Sequence, residues 1–234
     1  MSLLVLDRVT KHYGARVALE SVSLTVEPGE FVGVWGRRRS GRTTLLAVSA
    51  GLEAPSDGTV HFDGADVTRQ PATGARNGIG YCTRSFPAPV GSTVLEQVSM
   101  PLLGHGSSVA TAQRSAAMTL IRVGAAGLKG ADVGELGHAA AMRVSLARAL
   151  VTAPRLLLID QPAAGVSIAT ERDVLLGLLR SLADEGMAVV MTVDEAAELA
   201  GTDRALTIDA GELHGETPGG VAADVIPLPL AGDA

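Results

Sequence analysis

Residues 31–46 read FVGVWGRRRSGRTTLL: a short apolar run, a loop rich in glycine and arginine, and the start of a second apolar run. A strand that leads through the pattern G-x-x-x-x-G-K-[ST] into a helix forms a phosphate-binding loop. Gly36, Gly41 and Thr43 stand where this pattern requires them, but Arg42 replaces the lysine. We therefore predict a phosphate-binding loop, with a surface turn rich in glycine and arginine as the alternative.

The chemistry of such a loop has a part that needs no particular side chain and a part that does. Backbone N–H groups and the start of the helix hold phosphate, and the hydroxyl of Thr43 is suited to Mg²⁺. Arg42 keeps the positive charge of a lysine, but its guanidinium is larger and planar, so the two are not equivalent.

The pattern of apolar residues on both sides of the loop predicts an α/β fold. Short apolar runs without strict alternation indicate strands buried on both faces of a parallel sheet, at 31–35, 79–82, 155–159, 187–193 and 204–208. Residues 168–185 have helical spacing. Alternating residues at 3–28 and 58–67 predict antiparallel strands, and residues 94–150 predict an all-helical insertion.

Composition excludes several classes of protein. The chain has 234 residues, a net charge of −6 and 47% hydrophobic residues, which excludes a disordered chain. The acidic balance argues against a nucleic-acid partner, and one cysteine, Cys82, forbids an intrachain disulfide and a cysteine zinc cluster. The N-terminal segment is unlike a signal peptide, and no apolar run is long enough to span a bilayer, so we expect a cytoplasmic location.

Over residues 3–213 the chain resembles the nucleotide-binding subunit of ATP-binding-cassette (ABC) transporters. The resemblance rests on HYG at 12–14, the loop at 36–44, MRVSLARAL at 142–150, RLLLID at 155–160 and TDR at 202–204. It implies a P-loop NTPase fold: a RecA-like parallel core sheet, an antiparallel β subdomain and a helical subdomain at about 85–150. We expect residues 214–234 to form an irregular tail. Within the family, SF at 85–86 and TVLEQV at 93–98 look most like the lipoprotein-release and macrolide-export branch.

The residues that would hold the nucleotide are largely present. The resemblance implies that Tyr13 stacks on adenine, that the loop holds the phosphates of ATP, and that Thr43 and Asp160 hold Mg²⁺. The full set predicted for ATP binding is Tyr13, Gly36, Arg39, Ser40, Gly41, Arg42, Thr43 and Thr44.

The residues that would catalyse hydrolysis are largely replaced. Gln161 stands where the family has its catalytic glutamate, Val193 where it has the switch histidine, and Arg84 where it has a glutamine that senses Mg²⁺. An amide cannot act as a general base, a role that contributes about 10²–10⁴-fold to rate. Arg39 replaces a loop glycine, and its Cβ adds bulk where the backbone must approach phosphate.

Two segments that the family uses at its dimer interface are altered as well. The signature Leu-Ser-Gly-Gly-Gln, which binds the γ-phosphate of the partner's nucleotide, reads Leu-Gly-His-Ala-Ala, with Gly137, His138 and Ala139 at its centre. His138 is interpreted as a solvated or interface histidine, with a charge-assisted contact as the alternative. A loop that usually ends in aspartate ends here in Ser167.

We therefore predict a degenerate subunit, a pseudo-ATPase that binds ATP weakly or without efficient hydrolysis. It would pair with a more conventional ABC ATPase subunit and dock on integral-membrane permeases at the inner face of the cell membrane. One alternative is an active ATPase that drives export. Another is a structural module that binds no nucleotide, with the arginines of 37–42 in salt bridges. Contact of these arginines with anionic lipid is a further, less favoured reading.

Overall fold

Two β-sheets and five α-helices make up the part of the chain that the computed structural model describes, which is residues 1–69, 78–83, 89, 91–166 and 168–218. The strands are β1 (Leu4–Tyr13), β2 (Arg16–Val26), β3 (Phe31–Gly36), β4 (Asp57–Phe62), β5 (Ala65–Asp66), β6 (Ile79–Cys82), β7 (Leu156–Asp160), β8 (Ala188–Val193), β9 (Arg204–Asp209) and β10 (Glu212–Pro218). The α-helices are α1 (Arg42–Ser49), α2 (Val94–Gly104), α3 (Val109–Arg122), α4 (His138–Leu150) and α5 (Ala169–Asp184). Three short 3-10 helices span Ala126–Leu128, Val133–Glu135 and Ala196–Leu199.

The larger sheet has six strands in the order β10-β9-β3-β8-β7-β6. The four pairings from β9 to β6 join parallel neighbours, whereas β10 pairs antiparallel with β9. Every residue of β7 and β8 is buried, because helices or the second sheet cover both faces. The carboxyl ends of β3, β7 and β8 meet at one edge, where ligands bind in sheets of this kind.

The prediction of an irregular tail from residue 214 is wrong for residues 214–218, which belong to β10. Ala210 and Gly211 both have positive φ angles, 47° and 91°. Such a two-residue turn returns the chain into an antiparallel hairpin, and Glu212 then pairs with Asp209. The remainder of the predicted tail lies outside the described residues.

The smaller sheet is antiparallel, with the strand order β2-β1-β4-β5. It packs with α1 on one face of the larger sheet, around a core that includes Leu45, Leu156 and Leu158. Helices α2 to α5 cover the opposite face, around a core that includes Leu157 and Ile159. Consecutive residues of β7 thus enter different cores, as the twofold alternation of a strand requires.

The segment predicted to be helical contains α2, α3, α4 and two 3-10 helices. Helix α2 begins with a capping box: the Thr93 hydroxyl accepts from the Glu96 N–H, and the Glu96 carboxylate accepts from the Thr93 N–H. No helix among the described residues has the length and apolarity needed to cross a membrane.

Candidate functional site

The loop between β3 and α1 has a backbone that two glycines make possible. A Cβ on Gly36 would clash with the Ile208 carbonyl, and a Cβ on Gly41 would clash with the Ala18 carbonyl. Gly41 also has a φ of 113°, which disfavours any side chain. The glycines that the sequence pattern requires are therefore imposed by β9 and β2 packing closely against the loop.

Arg39 occupies a left-handed backbone position in the same loop, with a φ of 69°. Residues with a side chain seldom adopt this conformation, whereas glycine does so freely. The Arg16 guanidinium donates to the Arg39 carbonyl at 3.2 Å and helps to hold the loop in this shape. The family's glycine at this position thus has a physical reason, and Arg39 adds a charge at the cost of backbone strain.

Arg42, at the lysine position, is buried, with 4% of its surface exposed. Its guanidinium donates to the carbonyl of Val193 and forms an ion pair with Asp194 at 2.7 Å. The side chain is therefore held at the carboxyl end of β8. The Val193 side chain is fully buried in the core, so this residue presents its carbonyl to the site. Arg42 was predicted as a phosphate contact, whereas its observed partners are the Val193 carbonyl and Asp194.

Asp160, at the end of β7, is the centre of a small hydrogen-bond network. Its two carboxylate oxygens accept from the Thr43 hydroxyl at 3.0 Å and from the Thr192 hydroxyl at 2.6 Å. The N–H of Gln161 donates in turn to the Thr192 hydroxyl at 3.2 Å. The network joins the start of α1 to the carboxyl ends of β7 and β8, and it brings together Thr43 and Asp160, the two residues predicted to hold Mg²⁺.

Oxygen ligands are the type that Mg²⁺ prefers, and it is usually held by one or two protein groups together with phosphate and water. Thr43 and Asp160 supply such oxygens side by side, so their chemistry fits this ion. No group of three histidine, cysteine, aspartate or glutamate side chains that could hold a metal occurs among the described residues.

A cleft of about 750 Å³ lies over the loop, and its lining is strongly basic. Five arginines and one carboxylate, that of Asp194, line it together with Trp35, Gly36, Ser40, Gly41, Thr43, Thr44 and Gln161; the arginines are Arg16, Arg37, Arg38, Arg39 and Arg42. Gln161 is 8% exposed and belongs to the cleft lining. The Ser40 hydroxyl is buried and has no hydrogen-bond partner.

Tyr13, predicted to stack on adenine, is not among the residues that line this cleft. It is 43% exposed, and its hydroxyl donates to the Glu53 carboxylate. Burial and this hydrogen bond raise the pKa of Tyr13. The Lys11 ammonium lies 5.2 Å from the centre of its ring, so the aromatic group is already engaged by a cation.

The segment predicted as the altered signature lies at the start of α4, where Gly137 is the residue before the helix and His138 its first residue. His138 is exposed and lies beside Gly165, where an added Cβ would be 3.4 Å from the His138 ring. A second cleft of about 680 Å³ is lined by Gly137, His138, Ala139 and Gly165, among others. It shares no residue with the basic cleft, so the structure places the two groups of predicted site residues apart. Arg84 and Ser167 lie outside the described residues.

Residues 19–164 match the family model described as ABC transporter. The chain belongs to the ABC transporter family. The Fe(3+) ions import ATP-binding protein FbpC of Agrobacterium fabrum is 33% identical to the cassette over 210 residues, covering 89% of this chain and 59% of that protein. The sulfate/thiosulfate import ATP-binding protein CysA of Mycobacterium bovis is 34% identical over 213 residues, with 90% and 60% coverage. The cassette thus spans about 60% of the length of these relatives.

The fold matches solved cassettes as well. The dimeric structure of MJ0796, a bacterial ABC transporter cassette, superposes with a TM-score of 0.85 at 26% identity, covering 92% of this chain and 98% of that one. These findings confirm the predicted family and the predicted P-loop NTPase fold class. Both relatives are named as import proteins, so the assignment to an export branch finds no support in them and stays a prediction.

Two residues of the cassette's site escaped the sequence analysis: Thr192, which donates to Asp160, and Asp194, which pairs with Arg42. Both flank Val193 at the end of β8. The signal that could have found them is their position, because polar residues at the carboxyl ends of parallel strands face the ligand edge of the sheet.

Proposed function

We propose that this chain is an ATP-binding subunit of an ABC transporter that binds nucleotide at the basic cleft and hydrolyses it slowly or not at all. The observation that carries the proposal is Gln161, which lines the cleft and follows Asp160 directly in the chain. A general base must accept a proton from the attacking water, and a neutral amide at this place cannot do so.

The surroundings of Gln161 support the same conclusion. Val193, which stands where the family has its switch histidine, has no titratable group. Its side chain is buried and its carbonyl accepts a hydrogen bond from Arg42. The binding elements are better preserved: the loop backbone, the start of α1, and the oxygens of Thr43 and Asp160. When bound, Mg²⁺ would partly neutralise the phosphate charge beside these two residues.

The test compares binding and turnover in the same purified sample. Mg²⁺-ATP is expected to raise the melting temperature, by the equivalent of about 2.7 kcal/mol at a hundredfold excess over the dissociation constant. Phosphate release is expected to be at least about 100-fold slower than in a conventional cassette assayed in parallel.

Each failure of this test has a separate meaning. A turnover typical of the family would overturn the loss of hydrolysis and favour an active ATPase. Absence of any thermal shift would overturn nucleotide binding and favour a structural module, for which the bonds of Arg42 to β8 are the supporting observation. Val174→Ala, at an exposed side chain of α5 outside the cleft lining, serves as the control and should leave both the thermal shift and phosphate release unchanged.

We further propose that the subunit works as a heterodimer with a more conventional cassette, docked on membrane permeases at the inner face of the cell membrane. The supporting observation is that the basic cleft and the cleft beside Gly137 share no residue. A site that needs both surfaces would then require a second chain. Two copies of this chain would combine Gln161 with the altered segment at both sites, whereas an intact partner supplies its own catalytic glutamate.

The partner is tested by purifying the chain from its native membranes in detergent. We expect a second cassette with lysine at the position of Arg42 and glutamate at that of Gln161, together with a protein that has membrane-spanning helices. Recovery of a homodimer bound to a permease would contradict the heterodimer.

A further inference from the structure

We propose that the basic cleft is a polyphosphate site: it binds a linear chain of three or more phosphates through arginines, without requiring a divalent metal or the adenine base. This inference rests on the proposed function, because it concerns the same cleft and names what the cleft recognises. The affinity of the cleft would then come from the arginine charges, with little contribution from a metal or a base.

The first observation is the number and placement of the charges. Arg16, Arg38 and Arg39 line the cleft in addition to Arg42, whose charge Asp194 balances. Among the described residues, Arg38 and Arg39 take part in none of the ion pairs found. A cluster of this kind within a chain of net charge −6 concentrates a positive field in one concave place. Guanidinium groups bind phosphate oxygens in a bidentate manner, so several arginines suit several successive phosphates.

The second observation concerns the oxygens that would hold a metal. Asp160 is not among the residues that line the cleft, and both of its oxygens already accept hydrogen bonds, from Thr43 and Thr192. A chelated Mg²⁺ would also cancel part of the phosphate charge. The arginines therefore attract the metal-free chain more strongly than the chelated one.

The third observation is that the residue predicted to stack on an adenine base does not line the cleft. Tyr13 does not line the cleft, and Glu53 and Lys11 engage its hydroxyl and its ring. The loop itself, by contrast, holds an unused polar atom: the Ser40 hydroxyl is buried without a partner in a residue that is 4% exposed and lines the cleft. A buried hydroxyl without a partner is costly, and a phosphate oxygen would satisfy it.

The experiment measures the dissociation constants of ATP and of inorganic triphosphate by calorimetry, each in Mg²⁺ and in EDTA. We expect triphosphate in EDTA to bind within about tenfold of ATP, since the arginines supply most of the affinity. Binding of both should weaken as salt is added, and Mg²⁺ should not tighten either.

The outcomes separate this inference from the proposed function. If Mg²⁺-ATP binds and triphosphate in EDTA does not, the polyphosphate site is wrong and nucleotide binding stands. If triphosphate binds and ATP does not, the inference stands and the proposed nucleotide is wrong. If neither binds, both are wrong.

A pair of variants tests the arginines directly. Arg38→Gln removes a charge from an exposed part of the loop and should weaken triphosphate binding about tenfold. Arg114→Gln removes a charge from the exposed surface of α3, away from the cleft, and should leave binding unchanged. Equal effects of the two substitutions would show that overall charge, not the cleft, determines affinity. Thermal melts of both variants establish that they are folded.

Discussion

Arg42 lies at the start of α1, yet its contacts are with the end of β8, 151 residues further along the chain. The planar guanidinium offers several N–H groups in a fixed fork, so one side chain can bond to a carbonyl and a carboxylate at the same time. A lysine has a single nitrogen and reaches one such partner well. At the scale of the residue, the exchange of lysine for arginine has converted a cation suited to phosphate into a bridge between two elements.

Arg42→Lys is expected to lower stability by about 1–2 kcal/mol, because one charge-assisted hydrogen bond is lost and its partner Asp194 is partly exposed. Affinity for Mg²⁺-ATP should not fall, since lysine is the residue of the phosphate-loop pattern. Chemical denaturation and calorimetry measure the two effects. A parallel loss of stability and affinity would contradict the assignment of Arg42 as a structural bridge.

Glu198 supplies a pH-dependent prediction. Burial raises the pKa of this carboxyl above its ordinary value of 4.5, and the charge of Glu195 raises it further. Since the folded pKa exceeds the unfolded one, the folded state loses stability as the pH rises through the folded pKa. Glu198→Gln should therefore raise the melting temperature at pH 8, and the gain should vanish near pH 4. The same substitution at exposed Glu20 on β2 should change little at either pH.

At the scale of the element, the helices begin and end for reasons that can be read locally. Helix α2 starts at a capping box, and α3 starts after Ser108, whose hydroxyl accepts from the Thr111 N–H. Helix α1 differs, because Gly41 precedes it and offers no side-chain cap. Its first N–H groups are therefore available to an anion, as the proposed function requires.

Thr93→Ala should destabilise the protein by about 1 kcal/mol, because it removes one hydrogen bond of the capping box of α2. Glu96→Gln is the matched control, since glutamine can accept the same bond from the Thr93 N–H. Urea unfolding of both variants measures the difference. The cap would be unimportant if Thr93→Ala proved no more destabilising than Glu96→Gln.

At the scale of the whole molecule, the larger sheet separates two hydrophobic cores and belongs to both. Leu157 points into the core beneath α2 to α5, and Leu158 into the core beneath α1 and the antiparallel sheet. Because β7 contributes alternately to each, damage on either face weakens the same strand. This shared strand favours cooperative unfolding of the two halves.

Leu157→Ala and Leu158→Ala should each cost roughly 2–5 kcal/mol, because both side chains are fully buried. Each variant should still unfold in a single transition when it is followed by both calorimetry and circular dichroism. Val174→Ala, at a side chain that is 60% exposed on α5, should change stability by less than about 0.5 kcal/mol. Two separate transitions in either leucine variant would show that the cores unfold independently.

The amino-acid sequence by itself predicted most of the strands, the helical segments, the loop after β3 and the family. These depend on short-range features: apolar spacing, capping residues, and glycines where backbones approach closely. The glycine, proline and alanine content from residue 214 onward predicted an irregular tail, whereas β10 continues to Pro218. Thr43 and Asp160 were predicted as one Mg²⁺ site through the family resemblance, and the structure places their side chains in hydrogen-bond contact.

Only the tertiary structure decided which side chains occupy the site. The strand order places β8 between β3 and β7, and this order brings Val193 and Asp194 to Arg42, and Thr192 to Asp160. No local pattern encodes such pairings, because they join residues from separate elements whose neighbours are chosen by packing. The gathering of Arg16 with the arginines of the loop has the same origin: β2 passes close to Gly41. The sequence thus specified the loop, and the packing of β2 against it placed Arg16 beside the loop arginines in one cleft.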